Sequence, residues 1–523
     1  MDLVVRNGRI LDGSGNPWYR GDVGVESGII SVIGALNESA DRVIDAQGMV
    51  VTPGFIDIHG HSDYNVLREP RVESKVRQGV TTEVIGNCGN SAAPMNEALR
   101  EYRVKYMSVM MGDEQVLTWA TMRDYMGLVD GQGAAFNVVP LVGHGTLRQN
   151  AMGSEDREPT GSEMREMKRL LTESLEAGAW GLSTGLIYTP SVYADTDEIV
   201  ELAKVAAKYD SLYATHIRGE GDTLIEAMEE AIAIGRIASV KVQISHFKAC
   251  GSKNWGKTAA TLRMVEEART QGVDVTFDQY PYTASSTGLA SILPRWVQDG
   301  GAASLLKRLR DSNVRDRIRA EPTEEMEDWS KIVIVGAKGN PSYEGLSLQE
   351  IARLEGKVPL DSMCDLLVGE EAQVMVVLHE MVEDDVERVM RSPLGMVGSD
   401  GRSVSPDGVY GRSMVHPRYY GTFPRILGEY VRRGVVTLPE AVRKMTSAPA
   451  QRLSIWKRGL IRIGFKADLV IFDPATVKDE ATFEEPHRHP SGIPYVIVNG
   501  VPVVDQGEHT GATPGRVLRK GLP

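Results

Sequence analysis

The sequence predicts an α/β fold: a parallel (β/α)8 barrel joined to a small β-sheet domain assembled from both chain ends. Three observations lead there. The chain has 523 residues; domains average roughly 100–200 residues, but a barrel can use more than about 250 by itself, so one large and one small domain fit. Through the middle, short β-branched runs alternate with long charged helical stretches such as SEMREMKRLLTESLEAG (Ser162 to Gly178) and DTLIEAMEEAIAIG (Asp222 to Gly235), the pattern of a parallel sheet with crossover helices. The two ends share a different texture, short apolar runs broken by glycine turns.

Taken in order, LVVRNGRILDGSG and GDVGVESGIISVIG open the chain as antiparallel strands, and KADLVIFDP (Lys466 to Pro474) and YVIVNGVPVV (Tyr495 to Val504) resume the pattern near the other end. Chain ends often lie together, so residues 1–52 and 450–523 are expected to form one small domain. The barrel is expected over 53–449. Its candidate strands lie near Phe55–Ile58, Glu83–Gly86, Asn137–Val142, Gly181–Thr184, Tyr213–His216, Val242–His246, Val273–Asp278, Val374–Leu378 and Met396–Ser399. That is one more than a barrel needs, and Val374–Leu378 fits it least. The stretch 289–371 suits no single βα unit and reads as an insertion over the barrel mouth, a candidate lid.

Composition narrows the function. Apolar residues make up 42% and charged residues 25%, an ordinary globular balance that excludes disorder and fibrous repeats. The formal net charge is −13, so a general nucleic-acid binder, which needs a basic face, is not expected. Three cysteines (Cys88, Cys250, Cys364) are too few for a disulfide framework and suit a reducing compartment. With no signal-peptide pattern and no long apolar run, the expectation is a cytoplasmic protein without a membrane span. DGQGAAF (Asp130 to Phe136) does not follow a strand and open a helix, and there is no P-loop, so no nucleotide cofactor is expected.

In a parallel barrel, catalytic groups gather at the C-terminal strand ends. The first candidate strand, TPGFIDIHGHSD, ends in His59 and His61, and alternate strand residues share a face. Alone, an H-x-H pair is a weak signal and two exposed loop histidines the ordinary reading. The other strand ends change that: GNCG brings Cys88, YATH His216, QISH His246 and VGSD Asp400. A thiolate and imidazoles suit a zinc-type ion, which lowers the pKa of a bound water toward about 7 and polarises a carbonyl. A carboxylate can take the water's proton and pass it to a leaving nitrogen. The set implies hydrolysis of an amide-like bond.

The fragments TPGFIDIHGHSD, GNCG, ATHIRGE, ISHFK, DQYPYTASST, GSDG, HPRYYGTF and GFKADLVIFDP together resemble the amidohydrolase superfamily, and within it the N-acyl-D-amino-acid deacylases (D-aminoacylases). The resemblance spans nearly the whole chain. It implies a TIM-like barrel beside a small β-sandwich formed by both termini. It implies a zinc-dependent enzyme that cleaves the amide of N-acyl-D-amino acids to a carboxylate and a free D-amino acid, by attack of a metal-activated water. It assigns a tightly bound zinc to Cys88, His216 and His246, a second, weaker metal position to His59 and His61, and the general base and then acid to Asp400. Where many relatives in the superfamily carry a carboxylated lysine on the fourth strand, WGLSTGL (Trp180 to Leu186) has none; Cys88 stands in for it. A different amide, cyclic or a D-residue dipeptide, is the alternative substrate.

A small-molecule substrate with a free carboxylate needs fixed donors. Lys248, two residues beyond His246, and Tyr282 are expected to supply them, with Ser286 as a further hydroxyl and Arg402 and Arg418 as further cations. His144 in VGHGTLR is expected to be a structural, hydrogen-bonding histidine, and Cys250 and Cys364 ordinary buried thiols.

Overall fold

Eight short parallel strands surround the centre of the molecule, a computed structural model that describes residues 1–111, 117–408, 411 and 413–521. They are β1 (Phe55–Asp57), β2 (Val80–Ile85), β3 (Asn137–Pro140, resuming after Leu141 as Val142–Gly143), β4 (Gly181–Gly185), β5 (Leu212–His216), β6 (Lys241–Ile244), β7 (Val275–Gln279) and β8 (Gly395–Val397). Ladders link β1–β2–β3 and, from the second half of β3, run through β4, β5, β6 and β7 to β8. Last and first strands meet at a single parallel bridge, Gly60 to Gly401. Two backbone bonds reinforce it, Asp400 N–H to the His59 carbonyl at 2.7 Å and His61 N–H to the Gly401 carbonyl at 3.0 Å. This seam lies directly beneath the candidate site.

Helices between the strands follow from local signals. Gly161–Glu176 starts at a capping box, Thr160 accepting from the Glu163 amide while Glu163 returns a bond, and it buries Met167, Leu171 and Leu175 along one face, the spacing of an amphipathic helix. Thr196–Lys208 starts on Asp195, whose carboxylate accepts from the Glu198 amide.

Val374–Leu378 proves to be the surplus strand. Met375–Leu378 pairs antiparallel with Ser285–Gly288 and with Ile332–Gly336, in a sheet outside the barrel. The inserted unit has its own core, including Leu289, Val297, Leu309, Ile334, Met363 and Leu367. It is therefore wider than 289–371, since its sheet needs strands on both sides of that range.

Both chain ends contribute to one nine-stranded sheet. They meet where Val50–Pro53 runs antiparallel to Leu469–Phe472, with Val51 opposite Ile471. Strand alternation explains its two apolar faces: Leu469, Ile471 and Ile497 pack with Leu3, Val5, Ile10 and Val23, while Val470, Phe472, Val496 and Val498 join the barrel's core. The last residues return to the barrel, where the Val138 amide donates to the Arg516 carbonyl and the Leu518 amide to the Val138 carbonyl. Among the described residues no helix is long and apolar enough to cross a membrane.

Candidate metal centre

The strand-end residues converge. Beyond β2 the chain turns through GNCG. Gly86 has φ +78° and a Cβ there would stand 2.3 Å from the Leu141 carbonyl oxygen, so only glycine lets the turn lie against β3. Cys88 itself sits at φ +50°, a strained conformation for a non-glycine residue. The turn aims Cys88 Sγ at three imidazoles: His59 Nε2 at 3.3 Å, His246 Nε2 at 3.6 Å and His216 Nδ1 at 3.9 Å. A tetrahedral ion with Zn–S near about 2.3 Å and Zn–N near about 2.0–2.1 Å separates its sulfur and nitrogen donors by about 3.6 Å. Donor atoms of His59, Cys88, His246 and Asp400 all lie within 4.8 Å of one another. A soft thiolate with imidazoles is a zinc donor set, and the residues fit such an ion.

Carboxylates behind the ring fix its members. Asp278, at the end of β7, accepts from His59 Nδ1 at 3.0 Å, from the His246 amide at 2.7 Å and from Gln243 Nε2 at 2.9 Å. Glu220 stands 3.0 Å from His246 Nδ1 and 3.7 Å from His216 Nε2. A carboxylate on the outer nitrogen of a ligating histidine sets its tautomer and raises its basicity. Burial pushes the Cys88 thiol up, but His59 and the hydrogen bonds from the other imidazoles outweigh it and hold the thiol well below its usual range, as a thiolate ligand requires.

Asp400 lies just past β8 at φ +49°. Its Oδ1 is 2.9 Å from His61 Nε2 and 3.4 Å from His59 Nε2, and its Oδ2 is 2.9 Å from Arg418 Nη1. Burial raises its pKa, yet the Arg418 guanidinium and the surrounding imidazoles keep the carboxyl well below the usual carboxylate range. It stands ionised beside the donor ring, a proton acceptor.

A cavity of about 420 Å³ opens over these groups, lined by His61, Cys88, Asp400, Arg402, Arg418 and Tyr188 and roofed by insertion residues such as Ser286, Thr287 and Met375. Of the residues expected to hold substrate, Ser286, Arg402 and Arg418 line it. Lys248 and Tyr282 do not. Lys248 does share a side with His246, but its Nζ is held by Glu220 Oε1 at 2.6 Å and lies 2.9 Å from His246 Nδ1, so the ammonium is already neutralised behind the ring. The Tyr282 hydroxyl donates to Asp479 at 2.8 Å and its ring lies under Arg425, turned away by those partners.

Three functional neighbours were not singled out from the sequence. Asp278 could have been found by the strand-end rule that singles out Asp400. Glu220 lies four residues after His216 in a loop and closes the fragment ATHIRGE, but strand-end position does not mark it. Tyr188 packs its ring edge against His216, centroids 5.1 Å apart, and follows the fourth strand without any motif. His144 bonds Ser191 Oγ at 2.9 Å and Glu198 at 2.8 Å, outside the donor ring. Cys250 and Cys364 are buried free thiols.

The same arrangement has relatives. A model of the amidohydrolase family matches residues 42–504. The N-acyl-D-glutamate deacylase of Alcaligenes xylosoxydans xylosoxydans is 38% identical over 99% of this chain and 97% of the relative; the D-aminoacylase of the same organism is 37% identical over 99% and 98%. Among solved structures, the N-acyl-D-glutamate deacylase from Bordetella bronchiseptica, complexed with zinc and a phosphonate inhibitor that mimics the tetrahedral intermediate, superposes with a TM-score of 0.85 and 37% identity, covering 99% of each chain.

Proposed function

Because the chain belongs to the amidohydrolase family, we propose that it is a zinc-dependent hydrolase that cleaves the amide of N-acyl-D-amino acids to a carboxylate and a free D-amino acid. The observation that carries this reading is the convergence of Cys88, His59, His216 and His246 beside an ionised Asp400 at the floor of an open cavity. The relatives that match over their full length act on N-acyl-D-amino acids by name, which supplies the chirality that spacing alone does not.

Cys88, His216 and His246 would hold the tighter ion, with His59 and His61 toward a second position. A zinc ion held by these residues would supply a lowered pKa for water and a Lewis acid for a carbonyl. The protein's own groups do the rest. Asp400 accepts the proton of the attacking water and returns it to the leaving nitrogen, so that the amine departs neutral. His61 and Arg418 hold the two carboxylate oxygens of Asp400 in place for both transfers. Arg402, Arg418 and Ser286 face the cavity where the substrate carboxylate must sit, and a guanidinium is the natural partner for it. Insertion residues Ser286, Thr287 and Met375 form part of the cavity wall.

The test is a panel of N-acetyl-D- and N-acetyl-L-amino acids, with cyclic amides and D-residue dipeptides alongside, assayed with zinc and after chelation. D-selective release of acetate that is lost with the metal supports the reading. Turnover of only the cyclic amides or dipeptides, or of no substrate, overturns it.

A further inference from the structure

A fully buried lysine lies beneath the seam between the first and last barrel strands. Lys75 belongs to a one-turn helix, Glu73–Val76, entered through Val72 at φ +43°, a conformation that a β-branched residue adopts only when its surroundings enforce it. Its side chain has no exposed surface. All three ammonium donors are used: Asp57 Oδ2 at 2.7 Å, Ser399 Oγ at 2.6 Å and the Gly401 carbonyl at 3.0 Å. Glu83 Oε2 stands 3.7 Å away. An ammonium buried this deeply costs several kcal/mol unless it is paired and fully hydrogen-bonded, and here it is both.

The partners are placed with a purpose. Ser399 and Gly401 flank Asp400 on either side. Asp57 lies two residues before His59, and its Oδ1 accepts from the Ser399 amide at 2.9 Å and from the His59 amide at 3.2 Å. Regular strand pairing has lapsed at this point: β1 ends at Asp57 and β8 at Val397, and one bridge follows. Side chains have taken over the ladder's task. Glu83 extends the network to the far side of the H-x-H loop by accepting from the Ser62 amide and hydroxyl.

We propose that Lys75 is a positioning residue for amide hydrolysis: it clamps the Ser399–Gly401 turn to the first strand and thereby places the Asp400 carboxylate. Its polar partners, Asp57, Ser399, Gly401 and Glu83, belong neither to the donor ring nor to the cavity lining. The inference deepens the functional reading above and rests on it. A displacement of about 1 Å in a reacting group can cost roughly 100-fold in rate, which sets the expected effect.

The experiment replaces Lys75 by methionine in the full zinc-loaded protein. Hydrogen exchange at Ser399, Asp400 and Gly401 should accelerate while the amides of Leu212–His216 keep their protection. Turnover should fall about 100-fold with KM and zinc content unchanged within about twofold. In an Asp400→Asn background, followed over long incubations, Lys75→Met should cost nothing further. Unchanged exchange at the turn overturns the proposal. So does the same loss in the Asp400→Asn background, or a loss of zinc in step with turnover, because either marks a general structural role. If Lys75→Met does not fold, Ser399→Ala decides: about a tenfold loss in kcat with KM unchanged supports the clamp, and unaltered kcat overturns it. A wild-type protein inactive on every N-acyl amino acid would instead overturn the functional reading, and the exchange pattern would still decide for or against the clamp.

Discussion

The terminal sheet and the barrel mouth are built by opposite rules. In the sheet, alternation is obeyed: the four residues of Leu469–Phe472 are all buried apolar side chains that divide between two faces. Its left-handed residues, such as Ser27 and Asn499, fall at turns where short polar side chains tolerate that backbone. At the barrel mouth the left-handed residues are Cys88, His246 and Asp400. Buried there are Asp57, Glu83, Asp278 and Lys75, groups a folding protein avoids burying unless they are paired. Strain and charge concentrate where reacting groups must be held, and the apolar sheet beside them stabilises the fold that holds them.

That contrast is sharpest at Asp400, and Asp400→Asn breaks it with the largest expected effect. The amide keeps the shape and the contact with Arg418 but cannot take a proton. Turnover should fall by about 10³-fold or more, with zinc content unchanged by elemental analysis. Activity within tenfold of wild type would place the base elsewhere.

Next in size is a half-buried acid of the insertion. Glu380 accepts from Ser285 Oγ at 2.7 Å, and burial, reinforced by Glu325 and Glu220, pushes its carboxyl up from 4.5 to about 7. The folded state therefore holds a proton that the unfolded chain releases above pH 4.5. Stability falls as pH rises between 4.5 and about 7 and levels off above. At about 1.4 kcal/mol per unit the loss amounts to about 3 kcal/mol. Glu380→Gln removes it, so thermal unfolding should find the variant gaining on wild type at pH 8 relative to pH 5. An equal difference at both pH values would refute the assignment.

Smaller again is Glu220→Gln, which leaves His246 and Lys248 without their shared carboxylate. Loss of such a partner typically costs about 10–100-fold in metal affinity or activity. Competition with a chelator should show the weakening; affinity equal to wild type would leave Glu220 only the task of neutralising Lys248.

What the sequence disclosed follows the same division. Strand ends are local features, so His59, His61, Cys88, His216, His246 and Asp400 could be located before any distance was known. The apolar alternation of both termini was equally legible, as was the doubtful standing of Val374–Leu378. Lys248 and Tyr282 could be placed near the site but not turned toward it. Their direction depends on Glu220 and Asp479, 28 and 197 residues away, partners that only tertiary packing selects. Lys75 was hidden for the same reason. A lysine in a short polar segment reads as a solvated side chain, and nothing local reveals two carboxylates and a serine closing around it.

The least effect should come from removing one methylene in each region, and it tests the contrast most directly. Ile471 lies in the sheet, fully buried and opposite Val51; Ile58 is buried between Asp57 and His59. Ile→Val at either position should cost about 1 kcal/mol of stability, since the lost contacts are alike. Only Ile58→Val should also lower kcat, by several-fold, because relaxation there shifts His59 and the seam below Asp400. Ile471→Val should leave kcat at the wild-type value, as the relaxation is absorbed by apolar neighbours remote from the donor ring. Paired urea titrations and kinetics decide it: if both variants lose stability and neither loses rate, the mouth tolerates slack as well as the sheet does, and the case for tightly held geometry there fails.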